Sequence, residues 1–138
     1  MEFLHNISKM IERQGGLPPN NLRRVKEYIQ AHLEENISLR RMADLVPMSQ
    51  YHFGRLFKQS TGLSPHQYVL RQRIAKAKEL LADEHLSIGE ISHQLGFASR
   101  SHFTTVFGNL AGTTPSNYRH KKGGSWETLD SGLFLAII

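Results

Sequence analysis

The residues of this 138-residue chain best suited to chemistry form a polar stripe that includes Tyr51, Arg55 and Lys58. At about 100° per residue, these three side chains share one side of a helix, and Phe53 and Phe57 fall on the opposite side. The pattern predicts an amphipathic helix with an apolar inner face and a cationic outer face. Guanidinium and ammonium groups donate strong hydrogen bonds to anions. The stripe therefore indicates a surface that binds an anionic partner.

The stretch that carries this stripe occurs twice, fifty residues apart. Residues 49–68 and 99–118 share Ser, His, Phe, Phe, Gly, Pro and Tyr in register, and Ser64 corresponds to Thr114. Such a match at one fixed offset predicts one supersecondary unit used twice. In each copy, a glycine suited to the left-handed conformation ends the helix, and Ser-Pro or Thr-Pro begins the next one.

Apolar residues at helical spacing predict the elements around the two copies. A first helix is expected over residues 22–34, and a second over 39–46, capped by Ser38 and with Leu39 directed inward. The tripeptide Ile-Ser-Leu that opens this second helix recurs 49 residues later as Leu-Ser-Ile. Two short helices joined by a tight turn make a helix-turn-helix, so the sequence predicts an all-α fold with two such units.

Composition divides the chain into three parts. Residues 1–21 are predicted to be an N-terminal segment and linker, too short for a ligand-sensing domain, because 14–21 is rich in Gly, Pro and Asn. Residues 22–122 are predicted to form one double helix-turn-helix domain. It comprises a first unit at 22–64, a long connecting helix at 65–82 and a second unit at 83–122. Two glycines then separate it from a tail, 123–138, whose role the sequence leaves open.

The charge distribution favours nucleic acid as the anionic partner. The chain has a net charge of +5, and residues 22–82 alone hold eleven Lys/Arg against five Asp/Glu. A helix with a cationic outer face fits the major groove of DNA. The connecting helix should be about 27 Å long, and successive major grooves lie about 34 Å apart on one side of B-DNA. A monomer is thus expected to read two successive grooves, at an asymmetric site because the two copies differ.

The second copy also supports a resemblance to a known family. Residues 96–119, which read GFASRSHFTTVFGNLAGTTPSNYR, resemble the C-terminal signature of the AraC/XylS family of bacterial transcription regulators. The resemblance extends over residues 22–122. It implies a seven-helix domain that binds promoter DNA and commonly activates transcription through RNA polymerase. Most members also carry a separate sensor domain, which we do not expect in this chain.

The candidate DNA-binding residues combine the positions that the resemblance implies for base reading with nearby basic and hydroxyl side chains that suit phosphate contacts. They are Arg40, Arg41, Gln50, Tyr51, Gly54, Arg55 and Lys58 in the first unit, Arg71 and Arg73 on the connecting helix, and Arg100, Ser101, His102, Thr104 and Thr105 in the second unit. The alternative for the basic residues is a plain solvated surface. One departure from the family is Gly108, where lysine is usual and contacts the DNA backbone.

The sequence gives no indication of an enzyme. It contains no Gly-rich phosphate loop, no nucleophile elbow and no cysteine. DNA-repair methyl acceptors contain a related domain, but they need reactive cysteines. His52 and His102 occupy matching positions, yet no histidine has the local spacing to carboxylates of a zinc site. We therefore expect no catalysis, no cofactor and no metal.

The predicted function is that of a sequence-specific transcription regulator with double-stranded DNA and RNA polymerase as partners. The alternative is a protein-interaction module that contacts RNA polymerase or another regulator without reading DNA. No apolar run is long enough to cross a bilayer, and no signal peptide is evident. These features, with the lack of cysteine, predict a cytoplasmic protein without membrane contact.

Overall fold

A computed structural model describes residues 16–121 of the chain. In that range it contains seven helices and no strand, which confirms the predicted all-α class. The helices are α1 (Pro19–Ala31), α2 (Leu39–Asp44), α3 (Gln50–Thr61), α4 (Pro65–Leu80), α5 (Ile88–Gln94), α6 (Arg100–Ala111) and α7 (Pro115–His120). Most of the N-terminal segment and the predicted tail at 123–138 lie outside the described residues.

The described chain divides into two compact units within α4, between Val69 and Leu70. The core of the first unit is built from apolar side chains of α1 to α4 and the residues before α1. Its buried members are Leu17, Val25, Ile29, Leu33, Met42, Ala43, Val46, Phe53, Phe57 and Val69. Phe57 packs against the ring of Phe53 at 5.6 Å and edge-on against Tyr68 at 5.2 Å between ring centroids. These aromatic contacts hold α3 against the core of the first unit.

The second unit repeats this packing with its own residues. The buried members of its core are Ile74, Ala77, Leu81, Ile88, Ile91, Leu95, Phe97, Phe103, Phe107 and Tyr118. Phe107 lies 5.7 Å from Phe103 and 5.7 Å edge-on from Tyr118. Aromatic residues at the same three positions therefore anchor α3 in the first unit and α6 in the second, as the sequence repeat predicts.

Capping groups set the helix boundaries, and those at Ser38, Ser64 and Thr114 were predicted from the sequence. The side chains of Ser38, Ser49, Ser99 and Thr114 each accept a hydrogen bond from a backbone N–H in the first turn of the helix that follows. Ser64 and Gln67 form a reciprocal capping box at the start of α4, with distances of 3.2 and 3.1 Å. Gly62 and Gly112 end α3 and α6 with φ values of 80° and 77°, the left-handed region that favours glycine.

The N-terminal boundary differs from the prediction. Helix α1 begins at Pro19, three residues before the expected start, because proline fits the first helical position, where no N–H is needed. Leu17 is buried in the first core, and its N–H donates to Oγ of Ser60 at 2.8 Å. The end of the predicted linker is thus part of the first unit.

Leu39 also departs from the prediction. We expected its side chain to point inward beside Met42, but 37% of Leu39 is exposed. Leu39 is the first residue of α2, and the inward positions of this short helix are taken by Met42 and Ala43. Its exposure places an apolar side chain next to α3.

Candidate nucleic-acid interface

The outer face of α3 carries the predicted stripe, and the structure exposes it. Tyr51 is 79% exposed, and Arg55 and Lys58 are exposed as well. On the inner face, Phe53 and Phe57 are completely buried. The two aromatic anchors fix the rotation of the helix, so the polar stripe has to face solvent.

Two further predicted residues of α3 lie near its start. Gln50 is exposed, and Gly54 is half-buried. The helix N-terminus is held by Ser49, whose Oγ accepts from the N–H of His52 at 3.2 Å. The structure thus brings Gln50, Tyr51, Gly54 and Arg55 together within the first turn and a half of one helix.

The two arginines of α2 are exposed but differ in their surroundings. Arg41 donates a hydrogen bond from Nε to the hydroxyl of Tyr28 on α1, at 3.2 Å. Arg40 is exposed at the preceding position. The Tyr28 contact therefore directs Arg41 toward α1.

The second unit presents the matching helix, α6, with less charge. Arg100, Ser101, His102 and Thr105 are exposed, and Thr104 is half-buried. His102 packs edge-on against Phe97, with ring centroids 5.5 Å apart, and Phe97 belongs to the segment that joins α5 to α6. Arg100 is the only Lys or Arg in α6. This face is therefore mainly one of hydroxyl, imidazole and backbone groups.

Gly108 follows the second buried phenylalanine of α6 and leaves its surroundings open. A Cβ built on it would meet nothing within 4 Å. No neighbouring group therefore prevents a side chain, such as the lysine usual in the family, from occupying this position.

The predicted contacts on α4 require a correction. We expected Arg73 on a polar outer face, but it is only 9% exposed, with its guanidinium carbon 5.9 Å from the ring centroid of Phe97. Burial lowers the pKa of Arg73 because a low-dielectric environment disfavours its charged form. Arg71 is half-buried, and its Nη1 atom is enclosed without a hydrogen-bond partner among residues 16–121. Arg73 is therefore not open to a phosphate, and Arg71 is only partly accessible.

Metal-binding clusters and membrane-spanning helices are absent from the described residues. Between residues 16 and 121, no group of three or more His, Asp or Glu side chains is arranged to hold a metal ion. None of the seven helices is long and apolar enough to cross a membrane.

Comparisons with known proteins agree with this architecture. Residues 42–121 match the family described as a helix-turn-helix domain. The crystal structure of a transcriptional regulator from Chromobacterium violaceum, described as an AraC-type DNA-binding-domain protein, superposes with a TM-score of 0.71 at 31% identity. That match covers 77% of this chain and 96% of the other.

The chain belongs to the AraC family of helix-turn-helix transcription regulators. Its AraC-type domain is also similar to the DNA-binding domain of AdpA, solved in complex with a target DNA, with a TM-score of 0.68 and 30% identity over 72% of this chain and 89% of that one. The probable transcriptional regulator LumQ of Photobacterium leiognathi is 35% identical to this chain over 99 residues. The match covers 72% of this chain but 40% of LumQ, so the chain spans less than half of that relative.

Proposed function

We propose that this chain binds duplex DNA at specific sequences and regulates transcription, with α3 and α6 each entering a major groove. The observation that carries the proposal is the contrast between the two faces of α3. Its inner phenylalanines are 0% exposed, whereas Tyr51 is 79% exposed beside two open cations. Helix-turn-helix proteins present their recognition helix in this way, with its inner face packed on the core and its charged outer face open to the DNA. The similarity to the DNA-bound domain of AdpA supports the same conclusion.

The residues of the first unit have distinct proposed roles. Arg55 suits a bidentate contact to O6 and N7 of a guanine, because its planar guanidinium matches those two acceptors. Lys58, one turn further along α3, and Arg40 at the start of α2 suit phosphates on either side of the groove. Phosphate contacts set the register, and Arg55 reads a base.

The second unit supplies neutral hydrogen-bonding groups together with Arg100. Ser101, His102 and Thr105 can bond base edges or phosphates, and Arg100 adds one charge near the start of α6. Because α3 and α6 carry different side chains, the target site should lack two-fold symmetry. Arg71, which is half-buried, is a weaker candidate than these, and the buried Arg73 is not included.

Activation through RNA polymerase is the second part of the proposal. It rests on the family resemblance, since AraC-type regulators commonly activate transcription. Transcription by purified polymerase from a promoter that carries the selected site, with and without the chain, tests this part. An increase in transcripts that disappears when the site is scrambled is the expected result.

A protein-interaction module remains the competing function, and the outer face of α3 separates the two. An interaction module does not need Tyr51, Arg55 and Lys58, whereas a DNA reader does. An enzymatic role in DNA repair would need a reactive thiol, and this sequence contains no cysteine.

Selection of bound sequences from a random duplex pool tests DNA binding directly. It yields the site, its length and its symmetry. Neutralising about six phosphates should give a log–log slope of affinity against salt near −5. The double variant Arg55→Ala/Lys58→Ala should lose the site while keeping its fold. A pool that yields no preferred sequence, or binding insensitive to salt, contradicts the proposal.

A further inference from the structure

Two large hydrophobic side chains are exposed among residues 16–121. They are Leu39, which is 37% exposed, and Tyr51, which is 79% exposed. Both belong to the first unit and adjoin Gly54. Tyr51 precedes Gly54 by three residues and is therefore its neighbour on the surface of α3. Leu39, on α2, places its Cδ1 atom 4.0 Å from the position that a Cβ on Gly54 would occupy. These three residues form what we call the apolar patch.

The apolar patch has room for one small apolar group. A carbon atom at the Cβ position of Gly54 would meet Cδ1 of Leu39 at ordinary van der Waals distance, and no other neighbouring group within 4 Å. Gly54 is itself half-buried. Because Gly54 has no side chain to fill this space, a partner's methyl group can approach the backbone of Gly54 on the side where Leu39 lies.

The surroundings of the apolar patch indicate which partner brings that methyl group. Arg55 follows Gly54 on the outer face of α3, and Arg40 follows Leu39 on α2; both are exposed. An apolar spot flanked by cations fits a polyanion that exposes methyl groups. In the major groove of DNA, the 5-methyl group of thymine is the only such group.

We infer that the apolar patch binds the 5-methyl group of a thymine, which makes Leu39 a specificity-determining residue of the first unit. The inference rests on the proposed function and deepens it, because it names a base that the first unit requires. Apolar contacts to the thymine methyl are an established means of base discrimination in the major groove. Here the contact surface is divided between two helices, since Leu39 supplies the apolar carbon and Gly54 supplies the space.

The second unit does not carry an equivalent patch. Its counterpart of Leu39 is Ile88, which is 9% exposed and belongs to the core. The counterparts of Tyr51 and Gly54 are Ser101 and Thr104, which are polar. The requirement for a thymine methyl should therefore be confined to the part of the site that α3 reads.

Replacement of thymine by uracil tests this inference, because it removes the methyl group and leaves base pairing unchanged. Starting from the selected duplex, each thymine is replaced singly, and the dissociation constant of the 138-residue chain is measured by fluorescence anisotropy. At one thymine, we expect binding to weaken about fourfold, the effect of exposing one buried methyl group. Leu39→Ala should bind the thymine and uracil duplexes equally at that position.

A second variant guards against a folding defect in Leu39→Ala. Gly54→Ala fills the space over the apolar patch with a methyl of its own, at a normal distance from Leu39, and suits a helix interior. Gly108→Ala is its matched control, because it makes the same change in the middle of α6, where the added carbon meets nothing within 4 Å. Neither variant should have a lower thermal midpoint than the parent, because alanine favours a helix interior over glycine. Only Gly54→Ala should weaken binding and abolish the preference for thymine over uracil.

The outcomes separate this inference from the proposed function. Uracil tolerated at every thymine of a site that is otherwise bound selectively overturns the inference and leaves the proposed function intact. Full discrimination retained in both Leu39→Ala and Gly54→Ala overturns it in the same way. A chain that selects no sequence at all contradicts the proposed function, and the inference falls with it.

Discussion

Arg119 on α7 donates a hydrogen bond from Nη2 to the carbonyl oxygen of Leu86, at 2.6 Å. Its Nε also donates to the carbonyl oxygen of Leu81, at 3.0 Å. One guanidinium thus satisfies backbone acceptors at both ends of the loop that joins α4 to α5. This arginine closes the second unit and has no part in the proposed DNA surface.

Arg119→Ala should therefore lower stability and leave specificity unchanged. The substitution removes charge-assisted bonds to half-buried carbonyls, and we expect the free energy of unfolding to fall by about 1.5–3 kcal/mol. Urea denaturation measures this change. Arg100→Ala is the control, because Arg100 is exposed and its loss should affect affinity for DNA but hardly affect stability. An Arg119→Ala protein as stable as the parent would contradict the structural role.

Arg55→Ala should affect binding and not folding. We expect it to cost about 1–3 kcal/mol on the selected site and to relax preference at one base pair. Phe57→Ala on the inner face of the same helix should instead cost about 3–5 kcal/mol of folding stability, because Phe57 is completely buried. Titration of single-base variants of the site measures the first effect. Equal weakening on all sequences would make Arg55 a phosphate contact.

The two recognition helices should contribute unequally. Arg55 and Lys58 are exposed on α3, whereas Ser101, Thr105 and Gly108 include no charge among them. Charge-assisted hydrogen bonds are about twice as strong as neutral ones. A scan of every base pair should therefore find the stronger preferences in the half that α3 reads. Equal penalties in the two halves, or larger ones in the half facing α6, would refute this.

Gly108→Lys should raise affinity for most sequences with little change in specificity. A Cβ at this position meets nothing within 4 Å, so the new side chain is accommodated and adds a phosphate contact. Gly108→Ala separates the two effects of the change, because it gains about 1 kcal/mol of helix stability without charge. A steeper salt dependence in Gly108→Lys than in Gly108→Ala is the expected result. If the two variants bind DNA alike, the added charge makes no contact.

Tyr68 should make the first unit sensitive to alkaline pH. Burial raises the pKa of Tyr68 above its ordinary value of 10.0, because the ionised phenolate is poorly solvated there. The folded state then holds the proton more tightly than the unfolded state. Stability is therefore fully present below pH 10 and falls as the pH rises toward the folded pKa.

Tyr68→Phe should remove this component of the pH dependence. Unfolding free energies measured from pH 8 to pH 11 should decline less steeply in Tyr68→Phe than in the parent. The substitution removes only the phenol of Tyr68 and leaves every other ionisable side chain in place, so the difference in slope reports on Tyr68. Identical slopes would mean that the phenol is equally solvated in the folded and unfolded chains.

Much of the fold and of the site could be predicted from the sequence because it depends on local rules. Ser49 before α3 and Gly62 after it define that helix, since a capping oxygen and a left-handed residue act within one turn. The spacing of Phe53 and Phe57 predicted the inner face of α3. The outer positions of Tyr51, Arg55 and Lys58 then followed from helix geometry. The recurrence of the pattern at 99–118 predicted the second unit.

Only the tertiary structure decided whether a side chain is buried or exposed where its neighbours belong to another element. Leu39 and Ile88 open equivalent helices, yet Leu39 is exposed beside Gly54 and Ile88 is buried in its core. Arg73 occupies a basic stretch of α4 but packs against Phe97, a residue 24 positions away in sequence. Helical periodicity assigns a face to each residue, but burial depends on what packs against that face. For these residues, the deciding neighbours are distant in sequence, and no local rule could supply them.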